Sequence, residues 1–297
     1  MDKLHRFPTN ETRNQNRRPA VAGRFYPGSP SLLQNEVIRL LKEAKPRQQP
    51  VKLPLSLIVP HAGYIYSGIT AASAYNQLGP DPEIDKVFIL ASSHRMNFPG
   101  ASVYCSGDFE TPLGTVGVDH KTADKLILAN SLFSCREDAH LFEHSMEVQI
   151  PFLQIVLKKS FQIIPIVLGT QSIRECALLA ETLSPYLTGG NLIIVSSDFS
   201  HYPAYDDAIE IDRTTTQAIM ANDPHMLMET LEQNKRKEIP GLATSLCSWT
   251  AVLTLLYITY QGNYNFNWID YKNSGDHALF GDRDRVVGYS AIAVYEK

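Results

Sequence analysis

Three apolar runs in this 297-residue chain end in side chains that do chemistry. Ser56-Leu-Ile-Val-Pro60 runs into His61, and Val87-Phe-Ile-Leu-Ala-Ser-Ser93 runs into His94. Leu192-Ile-Ile-Val-Ser-Ser197 runs into Asp198, with His201 three positions on. Neutral imidazole is a common metal ligand, and a carboxylate often orients its second ring nitrogen. The set therefore suits a metal site. It also suits a base–orienter pair, His201 with Asp198, serving a nucleophile such as Ser92 or Ser93. That serine reading ranks lower, because Ala91-Ser92-Ser93-His94 is not a Gly-x-Ser-x-Gly elbow. A single His at a strand tip is more often a capping residue. Three of the nine histidines in equivalent settings argue for one shared site.

His140-Leu-Phe-Glu143-His144 forms a second cluster, matching the His-x-x-Glu-His string of inverted zinc peptidases. On a helix His140 and His144 would share a face, with Glu143 beside them as base. The string is short, Pro151 follows soon after, and Glu147 is the one nearby acidic candidate for a third ligand. A helix-start segment with polar contacts is the better reading, with Glu143 and His144 lining a cleft. Cys247 sits at the start of the apolar stretch Leu246–Tyr260, expected to be helical, and a thiol at a helix start ionises more readily. The other cysteines, Cys105, Cys135 and Cys176, read as structural. Without a Cys-x-x-Cys pair, four reduced thiols in a cytoplasmic protein are expected.

The elements that must position these groups alternate along the chain. Strands are expected at Leu55–Val59, Lys86–Ala91, Phe161–Leu168 and Asn191–Ser196, each a short Val/Ile/Leu run suited to burial on both faces. Helices are expected at Pro30–Lys45, Ser67–Leu78, Ile173–Leu187, Asp207–Ala221, Pro224–Asn234 and Leu246–Tyr260. Ser29 is the expected N-cap of the first, with Pro30 at its first position. Two late strands, Phe266–Tyr271 and Val286–Tyr295, follow, the last closing the sheet. This alternation predicts one α/β domain, a parallel or mixed sheet covered by helices on both faces, over residues 19–297. Ligands of such sheets bind beyond the carboxyl ends of the strands, where the tip residues lie. Residues 1–18, polar and rich in Asn and Arg, read as a flexible arm.

Composition narrows the function. With 27 Lys+Arg against 31 Asp+Glu the formal charge is −4, which disfavours nucleic-acid binding. No apolar run approaches the ~18 residues of a membrane span, and no secretory h-region is visible.

Taken in order, the motifs resemble those of the Memo family, whose prokaryotic members are called AmmeMemoRadiSam system protein B. The strings are Pro19-Ala-Val-Ala-Gly-Arg-Phe-Tyr-Pro27, Pro60-His-Ala-Gly-Tyr-Ile-Tyr-Ser-Gly68 and Ser92-Ser-His94. They continue with Glu143-His-Ser-Met-Glu-Val-Gln-Ile-Pro-Phe152, Ser196-Ser-Asp-Phe-Ser-His201 and Val287-Gly-Tyr-Ser-Ala291. The resemblance implies a three-layer α/β/α domain similar to the class III extradiol (LigB-like) dioxygenases, which hold ferrous iron with two His and one Glu. By that likeness His61 and His94 are metal ligands, and Cys247 stands where the dioxygenases carry the Glu. His201 is the acid/base, Asp198 its neighbour, and Glu143 and His144 line the pocket. Next to Cys247, Ser248-Trp249 departs from the family's Cys-Gly pair. The implied cofactor is one transition metal ion, iron or copper, with zinc also compatible. The implied activity is redox chemistry on an unknown small molecule or peptide. Association with AMMECR-type and radical SAM proteins is a further implication. The alternatives are a non-catalytic module binding a phosphopeptide or partner protein, and a zinc-dependent hydrolase.

Overall fold

A computed structural model describes residues 15–49 and 52–297. Its centre is an eight-stranded mixed sheet in the order β6-β3-β7-β2-β8-β1-β10-β9. The inner block is parallel: β7 (Gln162–Leu168), β2 (Lys86–Ser92), β8 (Asn191–Ser196) and β1 (Ser56–Val59). Nearly every residue of these strands is buried, as expected for apolar runs covered on both faces. The fold is thus the expected α/β sandwich of three layers. One apolar core lies under α1 (Pro30–Glu43), α2 (Tyr64–Tyr75) and α5 (Ile150–Val156). The other lies under α6 (Ile173–Leu183), α7 (Tyr205–Met220), α8 (Pro224–Arg236) and α9 (Trp249–Thr259). Alternate residues of each strand face opposite cores: Val87 and Ile89 enter the first, Phe88 and Leu90 the second.

The structure departs from expectation in several places. β10 (Gly288–Glu296) does not close the sheet; it pairs antiparallel with both β1 and β9 (Tyr264–Asn273), and β9 is the edge. Burial explains the order, since β10 is covered along almost its whole length and β9 is only partly covered. Ser29 is the N-cap of α1 and Pro30 its first residue, as expected, but the Ser29 side chain makes no capping hydrogen bond; its hydroxyl meets that of Ser31 at 3.3 Å. The chain between β2 and α5 carries elements that no periodicity announced. These are the short strands β3 (Ala101–Val103), β4 (Phe109–Thr111), β5 (Gly114–Val116) and β6 (Phe133–Ser134), with α3 (His120–Ala129) and the single turn α4 (Glu137–His140). β3 runs antiparallel to β7 and extends the sheet on that side.

Cys105 and Cys135 are joined as a disulfide, with their Cα atoms 6.0 Å apart, so the expectation of four reduced thiols does not hold. The pair follows β3 and β6, whose parallel register brings the two segments together. Cys176 and Cys247 are free. The arm expected over residues 1–18 lies mostly outside the described residues, but its last part is built into the fold. Arg17 is 2% exposed, and its guanidinium meets Glu147 at 2.8 Å. Among the described residues no helix is long and apolar enough to cross a membrane.

Candidate functional site

The carboxyl ends of β1, β2 and β8 bring His61, His94 and Asp198 to one rim, because parallel neighbours in register end together. The loop before α9 adds Cys247, and the segment before α5 adds Glu143 and His144. The rings of His61, His94 and His144 lie 4.7–5.4 Å apart, centroid to centroid. His201 completes the neighbourhood of seven, whereas His140 and Glu147, also singled out from the sequence, are engaged elsewhere.

His61 is 1% exposed. Its Nδ1 lies 3.1 Å from Ser196 Oγ, while its Nε2 is buried with no hydrogen-bond partner. Burial pushes its pKa well below the ordinary value, and repulsion from His94, His144 and His201 adds to this, so the ring is neutral. His94 is held at both ends: Nδ1 meets Glu143 Oε1 at 2.8 Å, and Nε2 meets Cys247 Sγ at 3.0 Å. Burial opposes its charge, but the bonds to Cys247 and Glu143 outweigh that and push it up to about 10. Cys247 moves the other way: burial disfavours the thiolate, yet the neighbouring His201 and His94 rings lower its pKa. Imidazolium and thiolate are the metal-free forms these shifts favour.

The Cys247 N–H donates to the Asp198 carbonyl at 3.0 Å, fixing the loop against the β8 tip. The helix begins only at Trp249, so Cys247 precedes α9 rather than lying in its first turn. Asp198 Oδ1 accepts the His61 N–H at 2.7 Å. Its Oδ2 lies 3.9 Å from His61 Nε2 and 3.9 Å from His201 Nε2. Burial raises this carboxyl to about 7. His201 Nε2 is a second buried nitrogen without a partner. His201 itself is pinned through its backbone, bridging Thr244 and Val287.

Glu143 is fully buried and accepts from His94 N, His94 Nδ1 and Ser145 Oγ at 2.9, 2.8 and 2.9 Å. Burial disfavours its charge, but the bonds from His94 prevail and hold it down at about 2. It is therefore a carboxylate buttressing an imidazole, a closer role than lining a pocket. His144 is pushed down to about 4 by burial and by the charge on His94.

The His-x-x-Glu-His reading fails on geometry. α4 stops at His140, where the carbonyl that a continuing helix would offer to His144 N–H accepts Arg17 Nε at 2.8 Å. His140 points elsewhere, its Nε2 meeting Ser102 Oγ at 3.0 Å. Glu147, the third-ligand candidate, is consumed by Arg17, Ala20 N–H, Val21 N–H and Tyr26 OH. The serine reading gains no support: Ser92 Oγ meets Thr250 Oγ1 at 2.6 Å, and Ser93 Oγ accepts the Arg95 and Met96 N–H groups.

Ligating atoms of His61, His94 and Cys247 lie within 4.8 Å of one another, as do those of His94, Glu143 and His144. Tetrahedral ligands at ordinary Zn–N and Zn–S lengths sit about 3.5 Å apart, so small side-chain shifts would seat an ion in either set. A cavity of about 560 Å³ is lined by Phe25, Tyr64, Tyr66 and His277 among others, and by none of the cluster's own side chains. Phe25 meets the His144 ring edge-on at 5.0 Å.

Fold and cluster define a mixed α/β domain with a histidine-rich cluster at the carboxyl ends of its parallel strands. A family model described as Memo-like protein matches residues 17–293, and the chain belongs to that family. It is 34% identical over 277 residues to a MEMO1 family protein of Thermoplasma volcanium, covering 93% of this chain and 97% of that one. A MEMO1 family protein of Methanosarcina mazei is 35% identical over 283 residues, covering 94% and 98%. Among solved structures, an uncharacterized protein from Escherichia coli K12 aligns with 80% of this chain and 99% of its own, at a TM-score of 0.49 and 14% identity.

Proposed function

We propose that this protein binds one transition metal ion through His61, His94 and Cys247 and carries out redox chemistry on a small molecule or peptide in the adjoining cavity. The observation that carries this reading is the buried His61 Nε2, unpartnered among the described residues, on a side chain whose ligating atom lies within 4.8 Å of those of His94 and Cys247. An orphaned buried nitrogen is costly unless something else satisfies it, and a metal ion would do so. Thiolate with two imidazoles suits iron, copper or zinc; iron or copper would supply one-electron chemistry, zinc only polarisation or an activated water.

The chain's own groups divide the remaining work. Glu143 holds His94 in orientation from behind. Asp198 Oδ2 and His201 Nε2 lie 3.9 Å apart without a hydrogen bond, so a single polar atom to one side of the pair could contact both. A carboxyl raised to about 7 and an imidazole are suited to hold or pass a proton at that spot near neutral pH.

Elemental mass spectrometry on protein purified without oxygen and without a metal-binding tag tests the reading, with wild type beside His61→Ala and Cys247→Ser. Near-stoichiometric iron or copper in the wild type, lost in both variants, is expected. Equal metal in all three would overturn it. No uptake even after anaerobic reconstitution would overturn it too, and would favour a metal-free module that binds a peptide or partner.

A further inference from the structure

The geometry points to Ser196 as the residue that fixes the tautomer of His61, with Gln149 and the Ser145 carbonyl positioning it. The protons available to Gln149, Ser196, Ser145 and His61 allow only one arrangement. Gln149 Nε2 lies 3.0 Å from the Pro60 carbonyl and 2.8 Å from Ser196 Oγ. A carbonyl can only accept, so the amide face toward Pro60 must be the NH₂. The opposite face agrees: Gln149 Oε1 accepts from Tyr75 OH at 2.8 Å. The amide orientation is thereby determined, and its second N–H goes to Ser196 Oγ.

Ser196 Oγ has a single proton. It lies 2.6 Å from the Ser145 carbonyl, a separation that two oxygens tolerate only with a proton between them. The hydroxyl therefore donates to Ser145 and offers only lone pairs to its other neighbours. One accepts Gln149. The other faces His61 Nδ1 at 3.1 Å, so that nitrogen must carry the proton. Neutral His61 is thus the Nδ1–H tautomer, and Nε2, buried and unpartnered, presents its lone pair to the cluster. Glu143 imposes the same polarity on His94 Nδ1 from another element, with a carboxylate instead of a hydroxyl. Ser196, Gln149 and Tyr75 are fully buried, so water does not compete for these bonds.

The tautomer assignment stands on hydrogen bonds alone; its consequence for metal affinity rests on the metal-site reading. Long-range ¹H–¹⁵N correlation spectra of the metal-free, ¹⁵N-histidine-labelled protein test it, with His61 assigned by the signals that His61→Gln removes. The wild type is expected to show His61 protonated at Nδ1. Ser196→Val and Ser196→Thr have nearly the same shape and suit a strand, but only Thr keeps the hydroxyl. Thr is expected to retain the Nδ1–H pattern, and Val to shift His61 toward Nε2–H. Ser196→Ala repeats the Val result without added bulk. Iron(II) or copper titration should then weaken about ten- to a hundredfold in Val and Ala and little in Thr. An Nε2–H pattern in the wild type, or an unchanged Nδ1–H pattern in both Val and Ala, would overturn the assignment. If the wild type takes up no metal while the tautomer results hold, the metal reading fails and the assignment stands.

Discussion

His94 sits in both ligand sets that the cluster offers, and the carboxylate behind it separates them. If Glu143 only buttresses His94, Glu143→Gln keeps the shape and loses charge. Metal should then remain bound with about ten- to a hundredfold weaker affinity, and His144→Ala should leave stoichiometry unchanged. If His94, Glu143 and His144 were the ligands instead, both variants would come through elemental analysis empty. His140, three positions before Glu143, makes a prediction of a different kind. Burial and the charge on Arg17 hold it at about 3. Above pH ~6.5 it is neutral in both folded and unfolded chains. As pH falls, the unfolded chain takes up the proton first, so stability is lost from about 6.5 down to 3. By pH 5 the loss from this residue is about 2 kcal/mol. His140→Gln should flatten the dependence of unfolding free energy on pH in that window, measured by urea titration. A slope parallel to the wild type would refute the assignment.

The elements show why so much depends on one buried ion pair. Arg17 donates to the His140 carbonyl at 2.8 Å, the Glu143 carbonyl at 2.7 Å and Glu147 at 2.8 Å, tying the start of the described chain to the segment that carries Glu143 and His144. Removing one partner of a buried pair strands the other, at a cost of about 3–5 kcal/mol. Arg17→Met should lower the urea midpoint accordingly and weaken metal binding, because the Glu143 carbonyl loses its anchor. A midpoint within error of the wild type would sink this account. None of that was legible in the sequence, where Arg17 sits in a polar, Asn- and Arg-rich stretch resembling a loose arm. The same limit applies to Gln149 and Ser196: a buried polar residue declares itself only through partners distant in sequence. By contrast the inner strands and their tip residues were legible, because continuous Val/Ile runs ending in His or Asp carry both signals locally. The segment from β3 to α4 was not, since strands of two or three residues are too short to show a period. The last strand was placed at the sheet's end because chain order says nothing of neighbour order. β10 runs antiparallel into the slot beside β1, and only its full burial shows it.

At the scale of the whole molecule, the candidate ligands come from positions 61, 94 and 247, carried by β1, β2 and the loop before α9. No stretch of unfolded chain can present them together, so an ion that binds this site binds the folded state. Stability must then rise with free metal as the logarithm of its concentration over Kd, by about 2.7 kcal/mol at a hundredfold excess. For a domain of this size that is roughly 5 °C in melting temperature. The Cys105–Cys135 disulfide lies elsewhere in the sheet and is common to metal-free and loaded protein, so it does not contribute to the difference. Differential scanning calorimetry of metal-free protein against stepwise iron(II) or copper should show the rise in wild type and its absence in Cys247→Ser. A shift of equal size in both would mean the ion binds outside this His/Cys set. No shift in the wild type at concentrations that load the protein would mean that the unfolded chain binds it as well.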